Sequence, residues 1–382
     1  MLRAASFKLG WFLVLVLVGS LLHPAAALAS FENDLRNVVT FGRILPPTPS
    51  AAATVEEIVR SAIRTADFVA TPATPGFSYR YNPELDTFER VPASRGSVFV
   101  EPAETVGKGR LNLGVTYLYS NFTEINGVPL TTALNQVRTG PVTALSRVRD
   151  FELRSQVLDL SATYGITSRW DVNLLLPLLA TTLNLDVFSG LALPGELSGV
   201  RVNDTVFGPG DLLLRTKYRL PDWAGLAWAP FFTLRLPSGD PSNFQGLGAV
   251  TLTPGVALTR PIGPNDLHAN FAFEVNAADL EQSRVRYAIG ATVQALTRLA
   301  LLFDVIGSSG ISADHFEQPF ATTGGVIPVS GSVPRTDLVD LALGVRITVT
   351  DRVLIHLDAI VPLTQDGIRA NVVPAGGIEA TF

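Results

Sequence analysis

From residue 109 to the C-terminus, apolar and polar side chains alternate with a two-residue period. In the first such run, Leu111, Leu113, Val115, Tyr117 and Tyr119 share one parity, and Arg110, Asn112, Gly114, Thr116 and Ser120 share the other. Successive side chains of a strand point to opposite faces, so this run is a strand with one apolar and one polar face. Leu267, Ala269, Phe271, Phe273 and Val275 oppose His268, Asn270, Glu274 and Asn276 in the same way. The pattern predicts strands near 109–122, 151–165, 168–184, 210–220, 227–238, 246–260, 266–276, 283–295, 297–308, 335–350, 352–362 and 370–382. The second is poorly patterned, because Glu152, Arg154 and Gln156 share a parity with Leu158 and Leu160. A bulge there is expected to restore the alternation.

A soluble sandwich also alternates, so the connections decide between the two. They are short at Ile166-Thr167, Pro221 to Trp223, Pro261 to Asn265, Leu296-Thr297 and Asp351, and long over 123–150, 185–209 and 309–334. Short turns at one end and long loops at the other are the habit of outer-membrane barrels. Composition agrees. The 382 residues are 47% hydrophobic with mean hydropathy +0.30, yet only 16% are charged, against roughly 25% in soluble domains. Beyond residue 30 no apolar run reaches the about 18 residues of a membrane-spanning helix. The expected fold is all-β: a closed antiparallel transmembrane β-barrel of about twelve strands, residues 109–382, with a small α/β segment before it.

The N-terminus reads as an address. Arg3 and Lys8 precede an apolar core from Trp11 to Leu22, and Ala27-Leu28-Ala29 is a small-x-small cleavage site, so residues 1–29 are expected to be a signal peptide. Residues 30–108 form the second unit. Leu45 to Pro49 is stiff and extended. Val55, Ile58, Val59, Ala62, Ile63 and Ala66 make one face of an amphipathic helix over 50–70, whose start is assigned to a capping box at Thr54 and Glu57. Pro72 and Pro75 end it, and 77–91 reads as a small hairpin turning at Asn82-Pro83. The segment is either a plug or cap, expected with its helix on the periplasmic, short-turn side, or a linker packed under the barrel.

Zero cysteines exclude disulfides and thiolate metal sites, and a net charge of −5 gives no footprint for nucleic acid. No cofactor, metal site or catalytic set is expected. Arg or Lys facing lipid at mid-membrane costs about 2–4 kcal/mol. Charges on the polar parity should therefore face the lumen. The pore-lining candidates are Arg215, Lys217, Arg219, Arg235, His268, Glu274, Arg284, Arg286, Asp304, Asp340, Arg346, His356 and Asp358. His268 and His356 have Asn270 and Asp358 two residues away on the same face, a spacing that could orient an imidazole for hydrolysis. The lumen role is favoured over it.

Several stretches resemble the MetA-pathway of phenol degradation family: Gly107 to Gly114 with Tyr117 and Phe122 to Gly127, Tyr164 to Asp171, Gly208 to Arg219, Leu234 to Asp240, and Pro362 to Phe382. The resemblance covers about residues 98–382. It implies an outer-membrane channel of a Gram-negative-type bacterium, passing small hydrophobic or aromatic molecules by passive diffusion. Partners would be the lipid bilayer, the small-molecule solute, and the barrel-assembly machinery, which reads a last strand ending in an aromatic, here Phe382. A structural or adhesive barrel acting through its long loops is the alternative.

Overall fold

The computed structural model describes residues 30–38, 47–69, 79–82, 87–90, 97–138, 144–191, 197–322 and 324–382. The expected leader, the helix-ending prolines and the hairpin turn at Pro83 lie outside them. The flanking strands of that hairpin are present, Tyr79–Asn82 paired with Thr87–Arg90.

Twelve antiparallel strands form a closed barrel. They are β1 (Leu111–Ile125), β2 (Ala144–Gly165), β3 (Trp170–Leu191), β4 (Leu197–Pro209, resuming as Leu212–Tyr218), β5 (Ala227–Leu236) and β6 (Thr251–Ile262). β7 (Asn265–Asn276), β8 (Arg284–Leu296), β9 (Leu299–Gly310), β10 (Asp337–Thr348), β11 (Val353–Pro362) and β12 (Val373–Thr381) follow. Each pairs with the next, and β12 returns to β1 in the register Gly376 to Tyr117 and Ala380 to Leu113. Leu111 N donates to Phe382 O at 3.1 Å and Phe382 N to Leu111 O at 2.8 Å, so the last residue closes the seam. Closure leaves no unpaired edge, which is what lets a sheet stand in lipid.

The outward parity is apolar. Leu113, Val115, Phe271, Phe273, Ile289, Phe303, Leu343 and Leu357 are all exposed. Near the short-turn end, Tyr164, Trp170, Tyr218 and Trp223 are exposed as well. Amphipathic rings at that level are typical of a membrane–water boundary. No helix among the described residues is long and apolar enough to cross a membrane.

The inward face changes character along the barrel. Near the short turns it is polar, with Asn112, Thr116, Asp159, Thr163, Asp171 and Asn173 buried there. Toward the long connections it is apolar, with Leu118, Phe122, Leu153, Val157, Leu183 and Leu185 buried in one core. Two helices fill this apolar end. α1 (Phe31–Val38) buries Phe31, Leu35 and Val38, and α2 (Pro49–Val69) buries Ala51, Ala52, Val55, Ile58, Val59 and Ala62 in the same core.

Four expectations are corrected by this arrangement. α2 lies at the long-connection end, not the short-turn end: Arg64 bonds Asp314 at 2.8 Å, and Asn126 bonds Glu57 at 2.7 Å. An apolar helix face needs an apolar wall, and this end of the lumen offers one. The helix start is set earlier, by Thr48, whose hydroxyl accepts from Ala51 N at 3.3 Å, with Pro49 opening the first turn. Thr54 instead bonds back to Ser50 O within the helix. The register shift in β2 falls between Val148 and Asp150, above the residues it was meant to repair. Gln156 and Leu158 do share the outer face; β2 simply rises out of the apolar belt there. Finally, much of the expected long loops is strand. β3 and β4 continue as a hairpin to Leu191 and Leu197, and Asp314–Thr322 pairs with Gly325–Val333.

Candidate functional site

Residues 97–109 thread the polar half of the lumen and deliver the chain to the start of β1. An extended strap in a lumen has no ladder to join, so lumen side chains must satisfy its peptide groups. They do so residue by residue. The Ser97 hydroxyl donates to Asp304 on β9. Asn270 on β7 accepts from Glu101 N at 2.6 Å and donates to Glu101 O at 2.7 Å. Lys217 on β4 donates to Pro102 O at 2.9 Å. Thr259 on β6 accepts from Ala103 N at 3.0 Å, and Asp171 on β3 accepts from Val106 N at 2.9 Å. At the exit, Gly109 N donates to Gly165 O at 2.7 Å, and a Cβ on Gly165 would collide with the Gly107 carbonyl. Glycine at 165 is therefore what lets the strap pass under the β2 end.

Charge adds to this grip. The Glu101 carboxylate bridges Lys217 Nζ at 2.6 Å and Arg215 at 2.7 Å, and all three are buried or nearly so. A buried charge is costly unless paired, so these three are interdependent.

Every predicted lumen residue falls on the inward parity, but they form separate groups. Arg215 and Lys217 serve the strap, as does Asp304. Glu274 pairs with Arg286 at 2.7 Å, and Arg235 stands 3.8 Å from Asp211. Arg284 donates to Ser308 Oγ at 2.7 Å and to Thr336. Asp340 pairs with Arg369 at 2.9 Å. Arg219 turns to Asp222 at the short-turn end, at 2.8 Å, and Arg346 is buried on β10. His268 lies between Thr259 (3.1 Å) and Thr292 (3.5 Å). His356 lies between Asp358 (2.6 Å) and Thr116 (3.4 Å) and is 1% exposed, packed into the wall. Phe382 is exposed at the seam.

Sequence reading missed the strap residues Ser97 and Glu101 and the latch at Asp211. That carboxylate accepts from Gly239 N (3.0 Å) and Leu247 N (2.7 Å), folding the β5–β6 connection inward. It also missed α1, although Phe31, Leu35 and Val38 at i, i+4, i+7 were a legible signal.

Between strap and wall a cavity of about 120 Å³ remains. Phe99 and Glu101 of the strap face Arg215, Phe231, Arg235 and Arg286 across it.

No family model matches the chain, and no curated protein matches it. Among solved structures it is similar to an outer-membrane channel from Pseudomonas putida F1, at 16% identity over 73% of this chain and 98% of that one, with TM-score 0.47. It is also similar to the NanC porin (8% identity, 71% and 98% covered, TM-score 0.39) and to a Pseudomonas aeruginosa FadL homologue (10%, 75% and 95%, TM-score 0.34). Likenesses this distant transfer neither function nor substrate; the barrel stands on this chain's own strand pairings.

Proposed function

We propose that the chain is an outer-membrane channel, not an enzyme, that passes small hydrophobic or aromatic molecules by passive diffusion after removal of residues 1–29. The observation that carries this reading is the closed barrel with an apolar outer belt and a charged inner wall around a threaded strap. The lumen beside the strap is lined by charged and hydrogen-bonding side chains, and a cavity of about 120 Å³ stays open between strap and wall. The family resemblance over residues 98–382 supports aromatic or hydrophobic cargo. The exposed C-terminal Phe382 we assign to recognition by the barrel-assembly machinery.

The test is reconstitution of the mature chain in planar bilayers and liposomes. Discrete conductance steps and liposome swelling with small neutral solutes are expected. An impermeable barrel would favour the structural or adhesive alternative. Hydrolysis of short-chain esters that is lost on His356→Ala would favour an enzyme, a reading that starts from His356 lying between Asp358 and Thr116.

A further inference from the structure

Resting on the channel reading, we propose that the hairpin between β9 and β10 is a lid that locks α2 in the lumen, with Asp314 as the latch between them. The hairpin, Asp314–Thr322 with Gly325–Val333, is a sheet of its own, and among the described residues its strands pair only with each other. A two-stranded hairpin alone is marginal in water. This one gains its support by covering the helices. Phe316, Phe320 and Val333 are buried in the same core as Val55, Ile58 and Val59 of α2. Glu317, Pro319 and Ala321, on its other face, are exposed. The 8-residue α1 is likewise too short to be stable by itself. Helices and hairpin therefore order one another, which gives the closed end two arrangements, docked and released.

The latch sits at the base of the hairpin. Arg60 and Arg64, one turn apart on α2, both reach the Asp314 carboxylate, Arg64 at 2.8 Å. Asp314 is 2% exposed. Arg60 also donates to His315 O at 3.5 Å, and Glu281 of the β7–β8 connection accepts from His315 N at 2.9 Å. Removing the Asp314 charge leaves two guanidinium groups side by side at a buried site, and losing one partner of a buried ion pair is strongly unfavourable. On the neighbouring row of its side chains α2 meets the barrel instead. Asn126 bonds Glu57 at 2.7 Å, and Gly367 packs against Ser61. Of these two attachments, the one to the hairpin is made by opposite charges, so it is the one that a single charge change releases.

The experiment is planar-bilayer recording on the full mature chain, with maleimide labelling of the same preparation as a structural readout. The label reports on Ala62→Cys, a position on α2 that is 2% exposed. Asp314→Asn should raise both the open probability and the labelling rate at least about tenfold. Glu317→Gln, on the exposed face of the same hairpin, should behave as the parent. The chain has no cysteine of its own, so an engineered pair can pin α2 to the barrel. A Cβ on Gly367 would lie 3.5 Å from Ser61 Cβ, and disulfides span about 3.5–4.5 Å between these atoms. Oxidising Ser61→Cys with Gly367→Cys in the Asp314→Asn chain should return the open probability to the parent's, and reduction should release it. Gly367 has φ +66°, so the same pair kept reduced reads any strain from the substitution. Heat-modifiable migration on a gel checks that each variant is a folded barrel. An Asp314→Asn variant that opens and labels as the parent, an equal effect of Glu317→Gln, or openings that persist in the oxidised pair would each overturn the lid. The two readings fail separately. Faster labelling of Asp314→Asn in a barrel that never conducts keeps the latch and removes the channel, and conductance that no variant changes does the reverse.

Discussion

Asn270 grips the Glu101 peptide on both edges, accepting from its N–H at 2.6 Å and donating to its carbonyl at 2.7 Å. One side chain thereby does for the strap what a neighbouring strand would do in a sheet. The grip sits where the Glu101 carboxylate meets Lys217 and Arg215, so peptide and side chain are fixed by different strands of the barrel.

Asn270→Ala removes both hydrogen bonds and leaves the Glu101 peptide groups buried without them. Each orphaned group costs about 1–3 kcal/mol, so the variant should melt earlier in detergent. It should also conduct more, because the strap is freed at its middle. Single-channel recording beside a thermal melt checks this. Unchanged conductance in a destabilised barrel would mean that the strap does not limit flow.

The outer belt can be tested at two heights. Ile289 is 67% exposed on the outward face of β8, and Lys at mid-membrane costs about 2–4 kcal/mol. Gln156 lies on the outward face of β2 where that face has already turned polar, so Gln156→Lys should cost about 0–1 kcal/mol. Folding into lipid vesicles, followed by urea titration, reads both. Equal costs would contradict the apolar belt.

The sequence made the barrel legible because lipid imposes one rule on every strand: apolar outward, with the lumen parity free to be polar. Leu113 and Asn112, or Phe271 and Asn270, obey it plainly. Above the belt the rule inverts. Leu153 and Leu183 face inward there, and Arg154 and Asn184 face outward, so the alternation persists with its sign reversed and reads as loop or bulge. The same inversion hid the docking place of α2, because only a wall already known to hold Leu118, Phe122 and Leu183 makes the lumen suitable for an apolar helix. The strap was illegible for another reason. Its contacts are single hydrogen bonds to scattered partners such as Asn270, Thr259 and Asp171, and no periodicity marks them.

Deleting residues 31–95 should leave a barrel that still shows heat-modifiable migration, since the β1–β12 seam lies wholly within 111–382. Conductance should rise, because α1 and α2 no longer occupy the upper lumen. Stability should fall, because Leu118, Leu153, Leu183 and Leu185 lose the apolar faces packed on them. A truncated barrel conducting no more than the parent would make the helices an attachment rather than a barrier.

Glu57 makes the docking of α2 sensitive to pH. Burial raises its carboxyl above the usual value, and Asp366 pushes in the same direction, against the hydrogen bond from Asn126. A carboxyl raised on docking favours the docked helix most below its undocked value of about 4.3. That contribution is lost as pH rises through the raised value. Glu57→Gln removes the charge and keeps an oxygen that can accept from Asn126 Nδ2, which donates to Glu57 at 2.7 Å in the parent. The variant should therefore melt above the parent at pH 8, with the difference shrinking toward pH 4. Thermal midpoints in detergent across that range decide the matter. A variant that is less stable than the parent at pH 8 would show that the ionised carboxylate helps to hold the helix, and that its burial costs less than its bond to Asn126 gains.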